Sequence, residues 1–139
     1  MLSRRSATRT GRAAAACIAV VVVFQLLLAS ELPLGRAAWG GTNDVLSPSL
    51  RISSAVAVII WTGATLLILE RAGAWGSERW QSLQRRGAWF LGALLGFGAL
   101  LNFASSSPWE RFGWGPFGVV MTVLCFRVAR ARAEPPQSQ

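Results

Sequence analysis

The chain has 139 residues, of which 53% are hydrophobic and only 14% are charged, yet its formal net charge is +8. Soluble domains carry about 25% charged residues and disordered chains have a low apolar content, so this composition argues against soluble, disordered and fibrous classes. The apolar residues are concentrated in four blocks, each long enough to cross the hydrocarbon layer of a bilayer. The composition therefore indicates a multi-pass membrane protein.

An all-α fold, a bundle of four transmembrane helices, is predicted from these blocks. The Val-rich run over 20–23 would suit a buried strand in water, but an open strand in lipid leaves backbone groups without hydrogen bonds. Pro116 is tolerated because it lies near the start of the fourth span, where a missing backbone donor is harmless. In chain order we predict a basic cytoplasmic tail (1–12), a first span (13–32), an outer loop (33–51), a second span (52–70), a cytoplasmic loop (71–86), a third span (87–104), a short outer loop (105–111), a fourth span (112–129) and a disordered cytoplasmic tail (130–139).

The arginines predict the orientation. All 14 basic residues are arginine. Ten of them lie before the first span, between the second and third spans, and after the fourth, and Arg127 lies at the inner end of the fourth span. Basic residues in short loops stay on the cytoplasmic side, so both termini and the middle loop are predicted to be cytoplasmic. The remaining three, Arg36, Arg51 and Arg111, are predicted to lie on the outer side, where positive charge is usually scarce.

A basic N-terminus followed by an apolar run is also how a secretory signal peptide begins. The apolar run over 13–32 is longer than a usual signal core. No clean small-x-small cleavage site follows the run, and Leu28-Ala29-Ser30, near its end, offers small residues at only two of the positions. We therefore expect an uncleaved first helix, with a cleaved signal peptide as the alternative.

The titratable residues do not form a pattern typical of catalysis or metal binding. The chain has no histidine, and arginine cannot act as a base near neutral pH. Cys17 and Cys125 lie towards the predicted cytoplasmic ends of their helices, where free thiols are expected to pack as small apolar groups. The arginines are divided among several segments, which argues against nucleic-acid binding. We predict no enzyme activity, no cofactor, and no catalytic, cofactor-binding or metal residues.

The third span carries a face of small residues. Ala88, Gly92 and Gly96 recur at every fourth position and form one helix face, on which another helix backbone can approach closely. We expect this helix-packing face to contact another helix of the same chain, with a homodimer as the alternative. Gln25 and Asn102 are the polar side chains at depth that we expect to form hydrogen bonds between helices.

The two outer loops share the pattern P-x-x-R-x-x-W-G, which begins at Pro33 in the first loop and at Pro108 in the second. A duplicated helical hairpin would produce this match, and the general frequency of these residues at membrane boundaries is the alternative explanation. The outer face also gathers a candidate polar cluster of Arg36, Asp44, Asn102, Glu110 and Arg111. We expect the two arginines of this cluster to pair with Glu110 or Asp44 and so lock the two loops together.

Four segments have a distinctive sequence: 33–41, Arg51-Ile-Ser-Ser-Ala-Val, Glu70-Arg-Ala-Gly, and 102–116 with its Trp109-Glu-Arg and Pro116. In these segments the chain resembles an uncharacterised family of small four-helix integral membrane proteins from bacteria with GC-rich genomes. The resemblance extends over 25–130. It implies a location in the bacterial inner membrane and no particular activity.

The function that the sequence favours is that of a small membrane protein acting through interaction, as an accessory subunit or scaffold. Its expected partners are the lipid bilayer, anionic lipid headgroups on the cytoplasmic side, and a membrane-protein partner or second copy of the chain. The alternative is a small-molecule transporter of the four-helix type, similar in size to the small multidrug transporters. Proton-coupled transport needs a carboxylate deep in the membrane, whereas Glu31 and Glu70 lie at span ends.

Overall fold

The computed structural model describes residues 4–73 and 80–131. These residues form four α-helices, which are α1 (Arg4–Ala29), α2 (Pro48–Arg71), α3 (Gln81–Ala104) and α4 (Gly115–Arg130). Two short 3-10 turns, Gly35–Ala37 and Trp39–Gly41, lie between α1 and α2, and a π-helical turn, Glu110–Trp114, leads into α4. The described residues contain no β-strand.

Each helix is long and apolar enough to cross a membrane. The four segments that meet this condition are Thr8–Ala29, Pro48–Arg71, Gln81–Ala104 and Glu110–Arg130. A helix satisfies its own backbone hydrogen bonds in lipid, which is why these apolar runs are helical rather than extended. The predicted all-α bundle of four transmembrane helices is confirmed, and the chain has the architecture of a multi-pass membrane protein.

The helices pair as two hairpins, α1 with α2 and α3 with α4, and the hairpins meet where α1 contacts α4 and α2 contacts α3. The α1–α2 and α3–α4 connections therefore meet at one end of the bundle, which we call the loop end. The opposite end, where α1 begins and α4 ends, is the terminal end. α2 is the least enclosed helix, because only 11% of its apolar window is buried.

The helices extend beyond the predicted spans. α1 begins at Arg4 rather than at 13, and α3 begins at Gln81 rather than at 87, because hydropathy marks only the part of a helix that suits lipid. α2 begins at Pro48 rather than at 52, since proline is favoured in the first turn of a helix. α1 ends at Ala29, before the predicted boundary at 32, and the left-handed φ of 66° at Glu31 prevents its continuation. The predicted tails and the loop over 71–86 lie partly outside the described residues.

The half of the bundle near the terminal end is closely packed. Ile18, Ile68, Ala88 and Cys125 are all completely buried there. Cys17 packs against the same core, and both thiols are free. The two cysteines thus contribute apolar volume between the helices rather than a covalent link.

The helix-packing face on α3 lies against α4 of the same chain. A methyl group added at Gly92 would meet the ring of Phe126 at 2.5 Å, and one added at Gly96 would meet the side chain of Thr122 at 3.4 Å. Ala88, one turn earlier on this face, is completely buried in the core. The small residues allow α3 and α4 to approach closely.

The two copies of P-x-x-R-x-x-W-G differ in backbone conformation. In the first copy Gly40 has a φ of 81°, within a pair of 3-10 turns. In the second copy the equivalent Gly115 has a φ of −58° and begins α4. The two-hairpin arrangement of the helices is present, but the shared pattern does not form the same structure twice.

Candidate functional site

The side chain of Glu110 joins the two connections at the loop end. Glu110 is only 8% exposed, because the π-helical turn directs it inwards, towards the first connection. Its Oε1 accepts a hydrogen bond from the backbone N–H of Gly40 at 3.0 Å, and its Oε2 accepts one from the hydroxyl of Ser105. A single carboxylate therefore ties together segments that are 70 residues apart.

Two further serines reinforce this contact. The hydroxyl of Ser107 donates to the backbone carbonyl of Arg36 at 2.7 Å, and the hydroxyl of Ser106 donates to the carbonyl of Gly40 at 3.3 Å. Gly41 allows the close approach, because it has a φ of 70° and an added methyl group would lie 2.8 Å from Ser107. We call the assembly of Arg36–Gly41, Ser105–Ser107 and Glu110 the loop cap.

The arginines do not lock the loops in the predicted way. Arg36 forms an ion pair with Asp44 of its own connection. The guanidinium of Arg111 donates to the backbone carbonyl of Ser105 at 2.8 Å, also within its own connection, and pairs with no carboxylate of the described residues. The prediction for Arg111 is therefore wrong. The reason is that the side chain of Glu110 is buried in the loop cap, whereas the side chain of Arg111 is exposed.

The Arg36–Asp44 pair gives the loop end a weak pH dependence. A side-chain hydrogen bond from Arg36, together with its charge, lowers the pKa of Asp44 below the ordinary value of 3.8. A carboxylate with a lowered folded-state pKa stabilises the fold above its ordinary pKa, and this contribution is lost as the pH falls through the lowered value. We expect Asp44→Asn to lower the Tm slightly at neutral pH, because both side chains are exposed, and to have no effect in strong acid. Thermal melts of both proteins across this range test it, and a difference that grows on acidification would contradict it.

Sequence reasoning missed several residues that hold the first connection in place. Arg51 donates to the last carbonyl of α1, that of Ala29, at 3.2 Å and also forms an ion pair with Glu31. The indole N–H of Trp39 donates to the hydroxyl of Ser54, which is completely buried. The signals available were an acidic and a basic residue at opposite ends of one connection and a serine within an apolar span.

A cavity of about 480 Å³ lies directly beneath the loop cap, in the half of the bundle near the loop end. Its volume lies within the range of about 300–1,000 Å³ that is typical of small-molecule sites. Aromatic and aliphatic side chains from all four helices and the first connection form most of its wall. These include Val21, Phe24, Trp39, Trp61, Leu95, Trp114 and Met121.

Three polar side chains from different parts of the fold line the same cavity. They are Gln25 on α1, Asn102 on α3 and Glu110 in the loop cap. The Oε1 atom of Gln25 is buried and has no hydrogen-bond partner among the described residues. Neither amide forms the predicted hydrogen bond to another helix within 4–73 and 80–131, because the cavity separates the helices at this level.

We infer from the exposure of its lining that the cavity opens sideways, between α2 and α3. α2 contributes only Trp61 to its wall, whereas Phe97 and Leu101 of α3 line it and are 60% and 58% exposed. Gly98, between them in sequence, has no neighbouring atom within 4 Å of an added methyl group. The mouth therefore lies at a level where the helix surfaces suit lipid.

The cavity is closed towards the terminal end. Val21, Leu95 and Met121 line its deepest part. One turn further along the same helices, Ile18 and Cys125 are completely buried in the core. The cavity thus does not continue through the terminal half of the bundle.

Within the described part of the chain, no group of three His, Cys, Asp or Glu side chains could hold a metal ion. Comparison with protein-family models, with curated proteins and with solved structures gives no match to this chain.

Proposed function

We propose that this protein is a non-catalytic accessory protein of the bacterial inner membrane that acts by binding an amphiphilic molecule at the loop end. The observation that carries the proposal is the lateral cavity beneath the loop cap, which joins an apolar wall to three polar side chains. Ligand sites commonly combine a largely apolar lining with a few polar groups that orient the ligand. A mouth between helices admits a ligand directly from lipid.

The orientation belongs to the same proposal. The arginine distribution supports a cytoplasmic terminal end, with the loop end on the outer side. Arg85 and Arg86 are exposed at the start of α3, where anionic headgroups of the inner leaflet would contact them. The resemblance to small bacterial four-helix proteins supports placement in the inner membrane.

The choice of binding over transport follows from the closed half of the bundle. Alternating access requires that a central site open to each side in turn. Here the residues beneath the cavity, Ile18 and Cys125 among them, are completely buried. The ligand would therefore enter and leave through the same mouth.

The packing face on α3 contacts another helix of the same chain, as predicted, so a protein partner would need another surface. The face of Ala88, Gly92 and Gly96 is occupied by α4. The least enclosed helix is α2, where Ile52 and Ile59 are 66% and 73% exposed. A membrane-protein partner or a second copy of the chain would contact α2, beside the mouth of the cavity.

Filling the cavity is expected to abolish ligand binding without unfolding the protein. Gly98→Leu places an isobutyl group in the open space at the mouth, whereas the matched variant Gly63→Leu adds the same group at another open position, on α2 outside this cavity. We expect native mass spectrometry of protein extracted from membranes to show one bound amphiphile on the wild type and on Gly63→Leu, and none on Gly98→Leu. The Tm of each variant serves as the folding control. Equal retention by the two variants would refute the proposed site.

A further inference from the structure

We propose that the cavity selects amphiphiles with a positively charged amine head, and that Glu110 and Gln25 bind this head while the alkyl chain leaves through the mouth. This inference rests on the proposed function and specifies its ligand class. It follows from the charge, the hydrogen-bonding capacity and the aromatic walls of the cavity.

The cavity contains a carboxylate without a cation. Glu110 lines the wall, is only 8% exposed, and has no arginine within salt-bridge distance among the described residues. Its neighbour Arg111 donates instead to the carbonyl of Ser105. A carboxylate can accept about four hydrogen bonds, and the two neutral donors in the loop cap use only part of this capacity. A cationic head gains an interaction here that a neutral or anionic head does not.

The second polar group also requires a donor. The Oε1 atom of Gln25 is an acceptor that is buried without a partner on the wall of the cavity. A protonated amine carries N–H donors and no acceptor, so it can satisfy both this oxygen and the carboxylate of Glu110. The indole N–H of Trp39 is already bonded to Ser54 and is not available to an anionic head.

The aromatic walls favour the same kind of ligand. Trp39, Trp61 and Trp114 line the cavity from three different elements, and Phe24 packs against Trp114 with ring centroids 4.6 Å apart. The faces of indole rings attract ammonium groups, and this attraction is strongest where water is excluded. The cavity thus combines aromatic rings with a carboxylate, a combination that suits an organic cation.

The test compares three probes that share one alkyl chain, dodecylammonium, dodecanol and dodecanoate, on full-length protein in phosphatidylcholine nanodiscs. We expect dodecylammonium to bind about tenfold more tightly than dodecanol, and dodecanoate to bind most weakly. Empty nanodiscs and Gly98→Leu nanodiscs measure partition of each probe into lipid. Binding is followed by isothermal titration calorimetry.

Two variants identify the side chains that are responsible for the selectivity. Glu110→Gln keeps an acceptor for the N–H of Gly40 but removes the charge, so it is expected to reduce the affinity for dodecylammonium to that for dodecanol. Gln25→Leu lies outside the loop cap and is expected to weaken dodecylammonium severalfold and to weaken dodecanol less, because a hydroxyl has one donor and an ammonium group has three. This second variant keeps the test valid if Glu110→Gln does not fold. A variant that weakens all three probes equally has a structural effect only and would overturn the inference.

The outcomes separate the inference from the proposed function. Equal affinities for the three probes, all lost in Gly98→Leu, would overturn the selection of cations and leave the cavity as a general amphiphile site. No binding above the lipid background would overturn both. Nanodiscs that contain phosphatidylethanolamine identify the natural source of the amine: competition with dodecylammonium indicates a lipid headgroup, and its absence indicates a free long-chain amine.

Discussion

Glu110→Ala is expected to lower the free energy of unfolding by about 2–4 kcal/mol, the largest loss of any single polar substitution at the loop end. The substitution removes two charge-assisted hydrogen bonds, from the N–H of Gly40 and from the hydroxyl of Ser105. Because Glu110 is only 8% exposed, water cannot readily replace the carboxylate as an acceptor. The two connections then keep only the hydrogen bonds from Ser106 and Ser107. Thermal or denaturant unfolding in detergent measures the effect.

Two matched variants provide the controls. Glu31→Ala removes a carboxylate whose side chain is 63% exposed and whose ion pair with Arg51 lies within one connection, so its cost is below about 1 kcal/mol. Arg111→Ala removes an exposed side chain that bonds only a nearby carbonyl. Glu110 is not the main polar link between the two connections if Glu110→Ala costs no more than either control.

Gly92→Leu is expected to destabilise the bundle by about 2 kcal/mol or more, because it overpacks the contact between α3 and α4. The first added carbon already lies 2.5 Å from the ring of Phe126. That ring is itself held by Trp89, with centroids 5.0 Å apart, and the guanidinium of Arg130 lies 5.3 Å from the Trp89 ring. The substitution must therefore move α4 or displace several packed side chains.

The control for Gly92→Leu lies on the same helix. Gly98→Leu makes the same substitution at a position with no atom within 4 Å, so we expect its unfolding free energy to stay within about 0.5 kcal/mol of the wild type. The difference between the two variants removes the general effect of glycine on a helix. Equal melting curves for the two variants would show that the α3–α4 contact is looser than the structure describes.

The spans were predictable because lipid restricts the backbone conformations that a chain can adopt. An apolar run such as 13–32 must satisfy its backbone groups internally, and only the helix does so locally. The exact ends were not predictable from hydropathy. The polar first turns of α1 and α3 continue the same helices beyond the apolar runs; they contain no proline, and the helices continue through Gly11 and Gly87.

The packing face on α3 was predictable because small residues at every fourth position of a membrane helix typically mark the place where another helix approaches closely. Its partner was not, since Phe126 carries no sequence signal that links it to Gly92. The predicted polar cluster contained the correct carboxylate, Glu110, but assigned it the wrong partners. Every residue except proline has a backbone N–H, so the sequence alone cannot identify the N–H of Gly40 as the partner of Glu110.

The cavity could not be predicted, because it depends on how far apart four helices lie. Gln25 and Asn102 were identified as the polar groups at depth, and both reach the cavity wall rather than each other. Trp61, the tryptophan that lies well inside a span, is the one residue that α2 contributes to this wall. An indole within a span, away from the membrane interface, was the available signal.

Photoaffinity labelling tests the central claim most directly. A long-chain amine that carries a diazirine beside the nitrogen is activated in nanodiscs, and the labelled peptides are identified by mass spectrometry. The cavity beneath the loop cap predicts labels on the segments around Gln25 and Asn102, competition by dodecylammonium, and loss of labelling in Gly98→Leu. Labelling confined to exposed residues of α2 such as Ile59, and equal in the wild type and Gly98→Leu, would contradict it.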